Sequence, residues 1–175
     1  MDNKLNELEK LNKLLKPPEE LGGNFIPDGF KPQFDFIFVA EMPSMREPKN
    51  PKDLHTNYNF KGDKSLHKMM IECNVGGSYV TDIVKERKKP GRPVAEQIVK
   101  WLPFLLKEIK IIEPKFIIVL GKGNYDTNFQ PFIEPKLPKT VKVDWVFHYS
   151  TRSQRQRLKF EQRFREVISK FKKSV

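Results

Sequence analysis

The stretch Phe34-Asp35-Phe36-Ile37-Phe38-Val39, running on into Ala40 and Glu41, decides the fold. Its side chains are aromatic or aliphatic with one polar interruption, which is the composition of a strand buried on both faces. Three further runs have strand character: Ser78 to Val84, with Tyr79, Val80 and Ile83; Phe116 to Leu120, ending at Gly121; and Val141 to Phe147. Helical patterns separate them. Ser65 to Cys73 predicts a short helix, set off from the second strand by Gly76 and Gly77. From Val94 the positions Ile98, Trp101, Leu102, Leu105, Ile109 and Ile112 keep helical spacing, with Pro103 expected to kink or break the helix and Pro114 to close it. Phe160, Phe164, Val167, Ile168 and Phe171 mark a terminal helix. Leu5, Leu8, Leu11 and Leu15 predict an amphipathic helix capped by Asp2 and ended by Pro17 and Pro18. Strands that alternate with helices predict a parallel sheet covered on both faces.

At 175 residues the chain has room for one domain with a buried core, divided as an N-terminal helix and loop (1–33), a motif-bearing core (34–154) and a C-terminal helix (155–175). The 38% hydrophobic content against 31% charged excludes both a membrane protein and a disordered tail. A formal charge of +11 favours a polyanionic partner such as nucleic acid, although a merely solvated lysine-rich surface is the plainer reading. One cysteine, Cys73, excludes an internal disulfide framework, and the sequence has no Cys/His cluster for zinc or iron–sulfur. The charged N-terminus has no signal-peptide core. The expectation is a cytoplasmic monomer, nucleoid-associated in a prokaryote, with no membrane contact.

Residues 41–62 contain Pro43, Pro48 and Pro51 and few aliphatics, so they read as a long loop, and such loops are usually functional. In parallel sheets ligands bind beyond the carboxyl ends of the strands, which directs attention to residues 40–47, 82–92, 121–125 and 148–154. His55 and His67 have no such context.

Four segments from those places occur in order: Ala40-Glu41-Met42-Pro43-Ser44, Tyr79-Val80-Thr81-Asp82-Ile83-Val84-Lys85, Glu113-Pro114-Lys115-Phe116-Ile117-Ile118-Val119-Leu120-Gly121, and His148-Tyr149-Ser150. Each alone is weak; as an ordered set over residues 34–154 they resemble the uracil-DNA glycosylase superfamily, especially its family four. The resemblance implies a three-layer αβα sandwich with a central four-stranded parallel sheet. It also implies hydrolysis of the N-glycosidic bond of an altered base in DNA, as in base-excision repair, with the base flipped into a pocket.

By the same resemblance His148 is the candidate donor to the departing base, against a role in capping a strand end. Glu41 is the candidate carboxylate that positions water and opposes charge on the sugar, against a loop ion pair, and Glu47 is a second carboxylate. Phe60 occupies the place of the stacking aromatic, against a residue that merely packs under a loop. Asp82 and Met42 fall at base-contacting places. Met42 stands where some branches carry an activating aspartate, and Asp82 where the family's asparagine reads uracil. An ionised aspartate only accepts hydrogen bonds, so a changed base preference is an open alternative. Tyr149 and Ala40 replace the usual proline and glycine.

Family four holds an iron–sulfur cluster through four cysteines. Here two of their places read Glu86 and Trp101, which predicts that the cluster is absent and that the chain needs no cofactor. DNA contact is expected from Ser44, from the basic loop of Lys85, Arg87, Lys88, Lys89 and Arg92, and from Ser150 and Arg152, the last near the family's wedge position. Two readings remain at this point: a monofunctional DNA glycosylase acting on uracil or another altered base, and a catalytically weak nucleic-acid-binding protein of the same fold. A nucleotide enzyme is disfavoured because no Gly-rich phosphate loop follows the first strand.

Overall fold

A computed structural model describes residues 2–15, 21, 26, 30–43, 61–87, 91–150 and 153–174. Its centre is a four-stranded sheet of β1 (Gln33–Ala40), β2 (Ser78–Asp82), β3 (Phe116–Leu120) and β4 (Lys142–Val146), in the spatial order β2-β1-β3-β4 with every pairing parallel. The helices are α1 (Asp2–Asn12), α2 (Lys61–Glu72), α3 (Ala95–Ile112), α4 (Lys122–Asn124), α5 (Gln130–Phe132) and α6 (Gln154–Lys172), with a π turn at Tyr125–Phe129 and a 3₁₀ turn at Glu134–Lys136.

Strand alternation sorts the core into two halves. Phe36, Phe38 and Ala40 on β1, with Phe116, Ile118 and Leu120 on β3, face Leu66, Met69 and Met70 of α2 and Phe160, Phe164, Val167, Ile168 and Phe171 of α6. The intervening Ile37, Val39, Ile117 and Val119 face Leu8 of α1 and Ile98, Leu102, Leu105, Ile109 and Ile112 of α3. The result is the expected three-layer αβα arrangement. All five β3 residues are buried, and so are all five of β2, whereas edge strand β4 shows Lys142 to solvent.

Several boundaries differ from expectation. β2 stops at Asp82 rather than Val84, although the N–H groups of Ile83 and Val84 still donate to the Ala40 and Glu41 carbonyls at 3.0 and 3.2 Å. β4 is shorter at both ends than predicted. α2 begins at Lys61, so Lys61 and Gly62 are helical rather than loop. α3 runs unbroken through Pro103, which faces solvent where the carbonyl it leaves without an N–H can bind water, while the buried stripe holds both halves to the sheet. Its end is built as predicted: Glu113 takes a left-handed conformation (φ 51°) before Pro114, and Lys4 of α1 donates to the Ile112 carbonyl at 2.9 Å. The helical segment of residues 122–132 was not read from the sequence at all.

Candidate active site at the carboxyl rim of the sheet

The strand order reverses between β1 and β3: the connection through α2 goes one way from β1, and the connection through α3 returns past β1 to β3 on its other side. The crevice of such a sheet opens at the carboxyl ends of those two strands. Glu41 leaves β1 there. Its backbone carbonyl accepts from Val84 N–H at 3.2 Å, and Ala40 stands in register with Asp82, so the ends of β1 and β2 are fixed side by side. Asp82 is fully buried.

On the other side β3 runs into Gly121, whose φ of 102° lies where a side chain would strain the backbone. Gly121 N–H donates to Val146 O at 2.8 Å, joining the ends of β3 and β4. A Cβ on Gly121 would lie 3.6 Å from His148 Cδ2, so the imidazole rests directly against this glycine. Asp82, Glu41, Gly121 and His148 therefore follow one another along one rim of the sheet.

Two contacts orient His148. Its ring stacks on Tyr149 at 4.9 Å and 14°. Its Nδ1 accepts from Ser150 N–H at 3.2 Å and lies 2.9 Å from Ser150 Oγ. A backbone N–H can only donate, so this contact selects the tautomer with the proton on Nε2. The Glu41 carboxylate is held by an amide: Asn128 Nδ2 donates to Glu41 Oε1 at 2.9 Å.

The same rim collects cations. Arg92 is exposed and lies over α4, with its Nη2 2.8 Å from where a Cβ on Gly123 would sit; Arg87 is partly buried, and Ser150 is exposed. Met42 packs partly buried against the α1/α3 half of the core. Two cavities, of about 800 Å³ beside Leu11, Leu14 and Leu106 and about 480 Å³ beside Pro114, Leu137 and Val141, carry none of these residues; the second opens at the amino ends of β3 and β4, across the sheet from the rim.

Residues 27–172 match the family model of the uracil DNA glycosylase superfamily. The chain belongs to that superfamily. A comparison with curated proteins finds no match. Members of the superfamily are typically hydrolases that remove bases from DNA, so DNA is the partner that the family implies. Among the described residues no helix is long and apolar enough to cross a membrane.

As a glycosylase-family chain it departs from expectation at Lys85. Expected on phosphate, Lys85 is fully buried, with Nζ donating to Thr81 Oγ1 at 2.5 Å, Asp82 O at 2.6 Å and Glu108 Oε2 at 2.9 Å. Tyr79 and Thr81 also donate to Glu108, at 2.9 and 3.0 Å. Burial pushes the Glu108 carboxyl above the ordinary glutamate range, and Lys85, Tyr79 and Thr81 pull the other way. Lys85 thus belongs to the buried interior and is not a surface cation for phosphate. The sequence carries half of the signal: Glu108 interrupts the apolar stripe of α3 and so calls for a buried partner, but nothing local names Lys85 as that partner.

The residues at the cluster places do not fit an iron–sulfur group, since the chain has a single cysteine and the two substitutes bind each other. Trp101 Nε1 donates to Glu86 Oε1 at 3.2 Å, Gln97 Nε2 donates to Glu86 Oε2 at 2.8 Å, and Lys100 forms a short ion pair with the same carboxylate. The hydrogen bonds from Lys100 and Gln97 hold the Glu86 carboxyl down at about 2. Phe60, Ser44, Glu47, His55, Lys88, Lys89 and Arg152 lie outside the described residues. His67 lies edge-on to Phe30 at 5.4 Å, in keeping with its lack of a site context. Asn124 lies in the 121–125 segment that the sequence marks as rim but has no role assigned there, and Asn128, just beyond it in a stretch without a strong period, has no sequence signal.

Proposed function

We propose that the chain is a monofunctional DNA glycosylase that hydrolyses the N-glycosidic bond of uracil or another altered base, working without an iron–sulfur cluster. The observation that carries this reading is the placement of His148 against Gly121 at the sheet's ligand-binding rim, in the tautomer that its contact with Ser150 selects. In the proposed reaction the C1′–N bond breaks with its electron pair moving to the base. A hydrogen bond from His148 Nε2 to a base oxygen stabilises that charge. The Glu41 carboxylate opposes the positive charge left on the deoxyribose and orients water towards C1′; the water's proton passes to the carboxylate, and an abasic site remains.

In this reading Asp82, Met42 and Phe60 surround the extruded base, and Ser44, Arg87, Lys88, Lys89, Arg92, Ser150 and Arg152 hold the backbone around it. One observation favours a second reading of substrate choice. Asp82 is buried at the end of β2, where an ionised carboxylate accepts from N3–H of uracil or from the exocyclic amine of cytosine or adenine but repels a carbonyl.

The test is a panel of single- and double-stranded oligonucleotides carrying uracil, hypoxanthine, or cytosine and thymine mismatches, scored as alkali-sensitive sites. Strand scission after alkali at one of these bases is expected. Glu41→Gln and His148→Ala are expected to slow release by about 100-fold or more while changing affinity far less. Binding without scission across the whole panel would sink the enzyme reading in favour of a nucleic-acid-binding protein.

A further inference from the structure

Two buried asparagines lie behind Glu41. Asn124 and Asn128 are 5% and 4% exposed, on the helical segment that leaves β3. Asn124 Nδ2 donates to the Leu120 carbonyl at 3.4 Å, Asn128 Nδ2 donates to Asn124 Oδ1 at 3.1 Å, and the same Nδ2 donates to Glu41 Oε1 at 2.9 Å. The polarity of this chain is set from both ends. A backbone carbonyl and an ionised carboxylate only accept, so each amide must turn its NH₂ towards them.

The backbone is shaped to deliver that contact. After α4 the helix opens into the π turn of Tyr125–Phe129, which carries Asn128; such turns occur mostly singly and frequently at functional sites. The helical segment as a whole starts at Lys122, directly after Gly121, against which His148 rests. One short segment thus braces both candidate groups.

We infer that Asn128 is a positioning residue for the Glu41 carboxylate, holding Oε1 so that the second oxygen faces water and sugar. The inference rests on the proposed role of Glu41 and deepens it. A neutral amide suits the task better than a cation. It fixes the direction of the carboxylate and leaves its negative charge in place, whereas an ammonium or guanidinium would cancel the field that the sugar is to feel. Misplacing a reacting group by about 1 Å costs about 100-fold in rate, so one directional bond matters.

The test is single-turnover release of whichever base the native chain excises, with affinity for the same oligonucleotide measured in parallel. Asn128→Ala is expected to slow release about 10- to 100-fold with affinity changed less than about twofold. In a Glu41→Ala background the same substitution is expected to add nothing, because the group it orients is gone. Asn128→Asp keeps the shape but sets two carboxyls side by side. Its deficit relative to the native chain is expected to shrink as pH falls from about 8 to about 5.5, as the pair comes to share a proton and a donor is restored.

Asn128→Ala that is folded and releases base at the native rate overturns the inference, as does an equal slowing with and without Glu41. If Asn128→Ala does not fold, the Asn128→Asp profile decides, and a deficit that is flat with pH overturns it. A native chain that releases base while Glu41→Ala does so at full rate instead removes the proposed role of Glu41. A native chain that releases no base removes both readings.

Discussion

At the scale of single residues, Lys85 shows how one side chain changes meaning between sequence and structure. Beside Glu86, Arg87, Lys88 and Lys89 it reads as one more surface cation; in the fold its ammonium is enclosed by Glu108, Thr81 and the Asp82 carbonyl, 5.3 Å from the centre of the Phe104 ring. Its bond to the Asp82 carbonyl also holds the end of β2, where base contact is proposed. Removing one member of a buried pair leaves a charge without compensation, so Lys85→Met is expected to lose about 3–5 kcal/mol in chemical denaturation. Lys85→Met/Glu108→Gln is expected to recover much of that loss, since the buried charge is then removed as well. A Lys85→Met chain within about 1 kcal/mol of the native stability would contradict the buried pair. The candidate site was legible where its residues sit beside a strand end, as Glu41 and His148 do. Asn128 was not, because an amide in an aperiodic segment has no meaning until the fold brings it to Glu41, 87 residues away.

At the scale of elements, the clamp of Glu86 onto α3 does locally what a metal cluster would do by covalent ligation. Gln97 Oε1 accepts from Val94 N–H at 3.2 Å while its Nε2 donates to Glu86, so one side chain both closes the first turn of α3 and ties that turn to the segment after β2. The segment after β2 and the start of α3 are thereby held together. The clamp also has a pH signature. In the unfolded chain Glu86 takes a proton near its ordinary value of 4.5, whereas in the fold it stays charged down to about 2. Its contribution is therefore whole above about pH 4.5 and is lost as pH falls towards 2. Glu86→Gln is expected to lower stability by about 1–2 kcal/mol at pH 7 and to match the native chain near pH 2, in denaturation curves taken across that range. A gap that stays constant with pH would show that the carboxylate charge is not what holds the clamp.

At the scale of the whole molecule, parallel topology gathers the chemistry. Glu41 and His148 are far apart in the chain, yet they stand on one rim at the ends of β1 and β4, with only β3 between them, because every strand points the same way. In the proposed function the net charge of +11 draws DNA to the molecule at long range, and cations such as Arg92 hold its backbone. Arg92→Ala is expected to reduce the slope of log affinity against log salt by about one, with the loss spread evenly over DNA sequences. Lys85→Met, tested where it remains folded, is expected to leave that slope unchanged. Equal slopes for Arg92→Ala and the native chain would take Arg92 off the phosphate backbone.

The amino-acid sequence by itself determined the αβα class, the four strands and which segments follow the strands' carboxyl ends. Those properties follow from local periodicity: runs such as Phe34 to Val39 and Phe116 to Leu120 are too apolar to lie anywhere but in a covered sheet. Only the tertiary structure decided that Lys85 is buried, that α3 survives Pro103, that Glu86 meets Trp101 and that Asn128 bonds to Glu41. Each of those outcomes is set by which partner the fold brings within about 3 Å, and a hydrogen bond's strength falls off so steeply with distance and angle that no local pattern can announce it.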